Sequence, residues 1–145
     1  MTAHEGADMD MIYGVIRIMA VLFMLAALNV GNVGAQTGDK TPAESAKMIA
    51  RTIDASTPKT PNAPITFVSA TSHDNIVEIL YSVKDAALFT NAKLRQEGMR
   101  LQIVQYFCSV GRIEYINSRV VILQSYVLSD KSDRIEITID KSSCR

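Results

Sequence analysis

Metal ligands are scarce in this chain. Its 145 residues hold two cysteines and two histidines, and one of those histidines, His4, lies at the extreme N-terminus. A zinc site of the usual kinds needs three or four such ligands, so no metal or other cofactor is expected. Charge of one sign is also lacking, since 15 Lys and Arg balance 15 Asp and Glu. Nucleic-acid binding asks for a clustered basic face, so no nucleic-acid partner is expected. No P-loop, G-x-G-x-x-G or H-E-x-x-H occurs, and no G-x-S-x-G elbow. Internal repeats and low-complexity segments are missing too.

Long apolar runs are limited to one. Ile18–Leu28 is eleven apolar residues in a row, preceded by Arg17 and followed by small residues ending Val33-Gly34-Ala35. A positive flank, an apolar core and an A-x-A-like exit describe a secretory signal peptide. The expected cut lies between Ala35 and Gln36. Glu5, Asp8 and Asp10 make the first ten residues acidic; a start at Met9 or Met11 would leave a short leader instead. The alternative is an uncleaved anchor over 11–30, whose twenty residues suffice to span a bilayer. Arg17 and Asn29 would then sit in the span, and a charge there is costly. The membrane enters only through this segment, if it is kept. The residue at the cut is Gln36, not Cys, so a lipid-modified cysteine is not available there. The chain is therefore expected in the periplasm or outside the cell.

The mature chain, 36–145, has 110 residues and a net charge near +2. That is one domain, long enough to bury roughly two-thirds of its unfolded surface. Cys108 and Cys144 both lie in it, and two thiols in an exported chain read as one disulfide.

Three regions are expected: a signal peptide at 1–35, an N-terminal helix and linker at 36–64, and an α+β domain at 65–145. Thr41-Pro42-Ala43-Glu44 is a capping box with Pro at the first helical position. Ala46, Ile49, Ala50 and Ile53 follow at helical spacing. Pro58, Pro61 and Pro64 then stiffen a linker, leaving this short helix as an appendage or docking arm. Ile65–Thr71 and Asn75–Val83 read as strands around a turn at Ser72–Asn75. Asp85 opens a long helical stretch to about Ser109, interrupted by Gly98 as a kink, a close packing contact or a break. Arg119–Leu128 and Arg134–Asp140 form a second hairpin around Ser129–Asp133; Ile135, Ile137 and Ile139 alternate with polar residues and face the core. The predicted fold is α+β: a four-stranded antiparallel sheet of two hairpins, with one long helix on a face and the short N-terminal helix before it.

Candidate chemistry is thin. His73-Asp74 is the one His–carboxylate neighbourhood in the mature chain, with Ser69 and Ser72 nearby. Adjacent residues point different ways, so a solvated turn explains it better than a triad. Glu136 with Asp140, and Asp130 with Asp133, are carboxylate pairs. They do acid–base work only if burial separates their pKa values. Arg95, Arg100, Arg112 and Arg119 read as a basic patch or as a solvated face with local ion pairs. Tyr115 and Tyr126, favoured types at interface hot spots, are candidate partner contacts, with Ile49 and Ile53 on the arm helix. The expected function is non-enzymatic protein binding, as an accessory of a bacterial envelope assembly such as a secretion, conjugation or pilus system. The alternative is a small secreted inhibitor of a hydrolase, acting through Ser129–Asp133, or a ligand-binding protein.

Overall fold

The computed structural model describes residues 40–109, 115–116 and 118–144. The signal segment and its Ala35–Gln36 cut lie outside the described residues, as do Gly111 and Arg112.

Helix α1 spans Pro42–Ser56. Its capping box forms in both directions: the Thr41 hydroxyl accepts from the Glu44 N–H at 3.2 Å, and the Thr41 N–H donates to the Glu44 carboxylate at 2.8 Å. Two of the orphan donors at the helix start are thereby satisfied. The strands follow as β1 (Ile65–His73) and β2 (Ile76–Val83), joined through Asp74 and Asn75. Asp74 takes a left-handed φ of 50°, which Asp tolerates better than most residues. Next come α2 (Ala86–Leu94) and α3 (Gln96–Phe107), then β3 (Val121–Leu128) and β4 (Arg134–Ile139). A 3-10 turn, Lys141–Cys144, closes the described chain.

The sheet order is β1-β2-β3-β4. Both hairpins form as expected, but the sheet is mixed: β2 and β3 run parallel. The reason lies in the crossover. Helix α2 stays at the end of the sheet where β2 finishes, with Lys93 paired to Asp133, and α3 runs back from Gln96 beside Glu136 to Cys108, bonded to Cys144 past the end of β4. They return the chain to the end where β2 began, and Val121 N–H donates to Asn75 C=O at 2.9 Å beside the first turn. Strand β3 therefore starts level with β2 and runs alongside it.

The expected single long helix is two. The break falls at Arg95, which ends α2 and begins α3 at φ −109°, ψ 22°. Gly98 lies inside α3, three residues beyond the break. Tyr115 and Ile116 are helical.

The arm is not detached either. Helix α1 packs on β1 and β2 and buries Ala46, Ile49 and Ala50. Asp54 fastens it further by accepting the Ala70 N–H of edge strand β1 at 3.1 Å. The linker prolines shape the path of the chain without freeing the helix. At the opposite edge, Gln96 of α3 donates to the Glu136 carbonyl of β4 at 3.5 Å.

One sheet face forms the core. It carries Phe67 and Ala70 of β1, Val77, Ile79, Tyr81 and Val83 of β2, Ile122, Gln124 and Tyr126 of β3, and Ile135, Ile137 and Ile139 of β4, all buried. The helices cover this face with Ile49, Phe89, Val104 and Phe107. Three rings cross it in register: Phe67 meets Tyr81 edge-on, and Tyr81 stacks on Tyr126 at 4.9 Å. Cys108, just past α3, bonds Cys144 in the closing turn with Cα atoms 5.4 Å apart. The expected cross-link is in place, tying helix to sheet.

Candidate functional site

The groups singled out for catalysis do not assemble. His73 and Asp74 pair at 3.3 Å at the tip of the first hairpin, with side chains 90 % and 82 % exposed. Water surrounds both, so neither has the screened setting that general acid–base work needs. Asp130 accepts from the hydroxyl and N–H of Ser132, and Asp133 pairs with Lys93 of α2. Asp140 accepts from Ser142 and Ser143 in the closing turn. These donors hold all three carboxyls below the usual range, which favours fixed anions over proton donors. Glu136 pairs with Arg134 at 3.2 Å. Among the described residues, no cluster of three His, Cys, Asp or Glu is placed to hold a metal ion.

The basic patch is divided. Arg100 is engaged by Glu97 through two bonds of 3.0 and 2.7 Å. Arg95 stands at the helix break. Arg119 takes a left-handed φ of 59° in the turn before β3, where its carbonyl accepts from Asn75.

The four partner-contact candidates also separate. Ile49 and Tyr126 are 4 % and 3 % exposed and belong to the core. The Tyr126 hydroxyl donates to the buried Gln124 amide oxygen at 2.8 Å, and burial pushes its phenol up. Tyrosine reads as a hot-spot type in sequence, but here cross-strand stacking has taken it inside. Ile53 and Tyr115 are half-buried. In the Ser129–Asp133 loop the first four residues are exposed and Asp133 is half-buried, and Asp130–Ser132 and Lys93–Asp133 contacts hold it.

The surface that sequence reasoning missed is the other face of the sheet. Strand register lays it out in rows. The first row is His73, Ile76 and Val121. The second is Thr71, Glu78, Leu123 and Thr138. The third is Ser69, Leu80, Ser125 and Glu136. The fourth is Thr66, Ser82, Val127 and Arg134. Ile76, Leu80, Val121, Leu123 and Val127 are half-buried by their neighbours, whereas Thr71, His73, Arg134, Glu136 and Thr138 at the edges are exposed. A strut crosses this face. Arg134 of β4 reaches over β3 to Glu78 of β2 at 3.6 Å, and Glu78 accepts from the Ser125 hydroxyl at 3.2 Å. The strut explains why Ser125 is fully buried on an otherwise open face. The available signal was β2 itself, whose Ile76, Leu80 and Glu78 share the face opposite the core residues.

Large apolar side chains are also exposed on the helix side, with Leu94 81 % exposed at the α2–α3 break and Leu101 on α3. Among the described residues no helix is long and apolar enough to cross a membrane.

The α+β fold that carries these surfaces is shared with known proteins. The sequence matches no protein family and no curated protein. The fold is similar to that of a candidate secreted protein from Pseudomonas aeruginosa (TM-score 0.62, 20 % identity), covering 74 % of this chain and 100 % of that one. It is also similar to the type 2 secretion system pilotin EpsS from Vibrio vulnificus (TM-score 0.57, 21 % identity), covering 72 % of this chain and 92 % of that one. The type II secretion system pilotin AspS from Vibrio cholerae matches at a TM-score of 0.53 and 16 % identity, covering 71 % and 92 %. At these identities what is shared is the fold.

Proposed function

We propose that this chain is an exported, non-enzymatic protein-binding domain that serves a bacterial envelope assembly, a secretion system first among them. The observation that carries this is the fold held in common with two secretion pilotins over nearly their whole lengths. The Cys108–Cys144 bond supports it, because such bonds persist in oxidising compartments. The dispersal of His73, the carboxylate pairs and the arginines supports it further. In this reading residues 1–35 are removed and the domain begins at Gln36.

The test is a crosslinked pull-down of tagged mature protein from its native envelope, with captured proteins identified by mass spectrometry. Components of one secretion machine are expected. Recovery of a single soluble hydrolase would move the reading to an inhibitor acting through Ser129–Asp133. Recovery of no specific protein would overturn it. Intact mass of the exported protein checks the cut: 36–145 with two hydrogens missing is expected, and a mass retaining 11–30 would make the segment an anchor.

A further inference from the structure

We infer that the open sheet face takes a protein segment whose apolar side chains surround one basic residue, and that Glu78 selects that residue. The inference rests on the protein-binding reading above and names the chemistry of the partner.

The face has the layout of an interface. Apolar side chains occupy the two central strands, at Ile76, Leu80, Val121, Leu123 and Val127, and polar groups rim it on the edge strands. An apolar centre inside a polar rim is what protein partners bury. The charges then decide what kind of partner. Among the strand residues of this face, Glu78 and Glu136 share the single guanidinium of Arg134. Arg134 sits nearer Glu136, at 3.2 Å, than Glu78, at 3.6 Å. A carboxylate accepts about four hydrogen bonds; Glu78 accepts one from the Ser125 hydroxyl and meets Arg134 only as an ion pair at 3.6 Å. Its side chain is 40 % exposed in the middle of the apolar patch.

A purely apolar cover would strip water from two carboxylates served by one cation, and a buried charge without a partner is costly. A covering segment that brings its own Lys or Arg to Glu78 removes that cost and leaves Arg134 to Glu136. An acidic segment is repelled. A second copy of this face would set excess negative charge against excess negative charge, and an anionic lipid surface would do the same.

The probes are synthetic amphipathic peptides with leucines along one face and a single lysine among them, plus a twin carrying glutamate at that position. Binding to the mature domain is measured by fluorescence anisotropy, and the site is located by amide chemical-shift changes. The lysine peptide is expected to bind about three- to tenfold tighter than its twin, with shifts on β2 and β3. In Glu78→Gln the preference should vanish. In Glu97→Gln, an acid on the helix side, it should persist. Both variants keep the size and shape of the native side chain, and matching amide spectra confirm their fold. Equal binding of the twins, no binding of either, a preference surviving Glu78→Gln, shifts centred on Leu94 and Leu101, or dimerisation through the face would each overturn the inference. The proposed function fails separately, when the envelope yields no partner. It survives if a secretion component is captured but crosslinks to α2 and α3.

Discussion

Asp140 shows how single side chains set the pH limits of this fold. Its carboxylate accepts from the Ser142 hydroxyl at 2.6 Å and the Ser142 N–H at 2.8 Å, and it takes further bonds from Ser143. These hold it below its ordinary 3.8, led by the Ser142 hydroxyl. A lowered folded value gives stability that is present above the ordinary value and lost as pH falls through the folded one. Glu44, bonded by the Thr41 N–H, and Asp133, bonded by Lys93, shift the same way. Tyr81 and Tyr126 shift upward through burial, so their contribution is present below their ordinary 10.0 and lost above it. The melting temperature is therefore expected to be flat at neutral pH and to fall below about pH 4 and above about pH 10. Calorimetry across pH checks this, and Asp140→Asn should remove part of the acid-side fall. A melting temperature that rises on acidification would contradict these assignments.

The crossover helices carry a clear expectation at the scale of elements. Gly98 lies inside α3, and a Cβ built there meets nothing within 4 Å. Gly98→Ala should therefore stabilise the domain by up to about 1 kcal/mol, read as a shift in the urea midpoint at constant slope. The break at Arg95 was not legible, since no Gly or Pro marks it. Gly98, the visible breaker, is tolerated within a turn of a helix that begins just before it. Helix α1 was legible in its cap and its stripe. Its placement was not, because small side chains such as Ala46 and Ala50 signal weak packing in sequence, yet they permit close approach to β1 and β2. Ile49→Ala should cost about 2 to 5 kcal/mol by leaving a core cavity. Deleting Thr41–Ser56 should unfold the domain rather than merely weaken binding, which circular dichroism would reveal. The candidate surface was hidden for a related reason. Ile76, Leu80 and Leu123 look like core residues along the chain; strand alternation sets them opposite Ile79 and Ile122, but which of the two faces the helices cover has no local signal.

The disulfide belongs to the scale of the whole molecule. Cys108 and Cys144 stand 36 positions apart, and closing a loop of that size stabilises by roughly 4 kcal/mol in chain-entropy terms. Cys108→Ser or Cys144→Ser should cost a few kcal/mol, and thermal melts with and without reductant should show the same loss in the native chain. The bond and both hairpins were legible because their signals are local or counted: an even pair of thiols, alternating isoleucines, turn residues between strands. The parallel centre was not, because no local pattern reports a pairing between Ile76 and Val121, which stand 45 positions apart.

That separation also shapes the order in which the chain reaches its native state. The two hairpins close through loops of a few residues, and the Cys108–Cys144 link encloses β3 and β4 without involving β1 or β2. The β2–β3 pairing, by contrast, needs the long crossover to close. Distant pairings of this kind slow folding. The seam that builds the open face is expected to form late, so refolding rates measured with stopped-flow should respond weakly to substitutions at Leu80 and Leu123, and unfolding rates strongly.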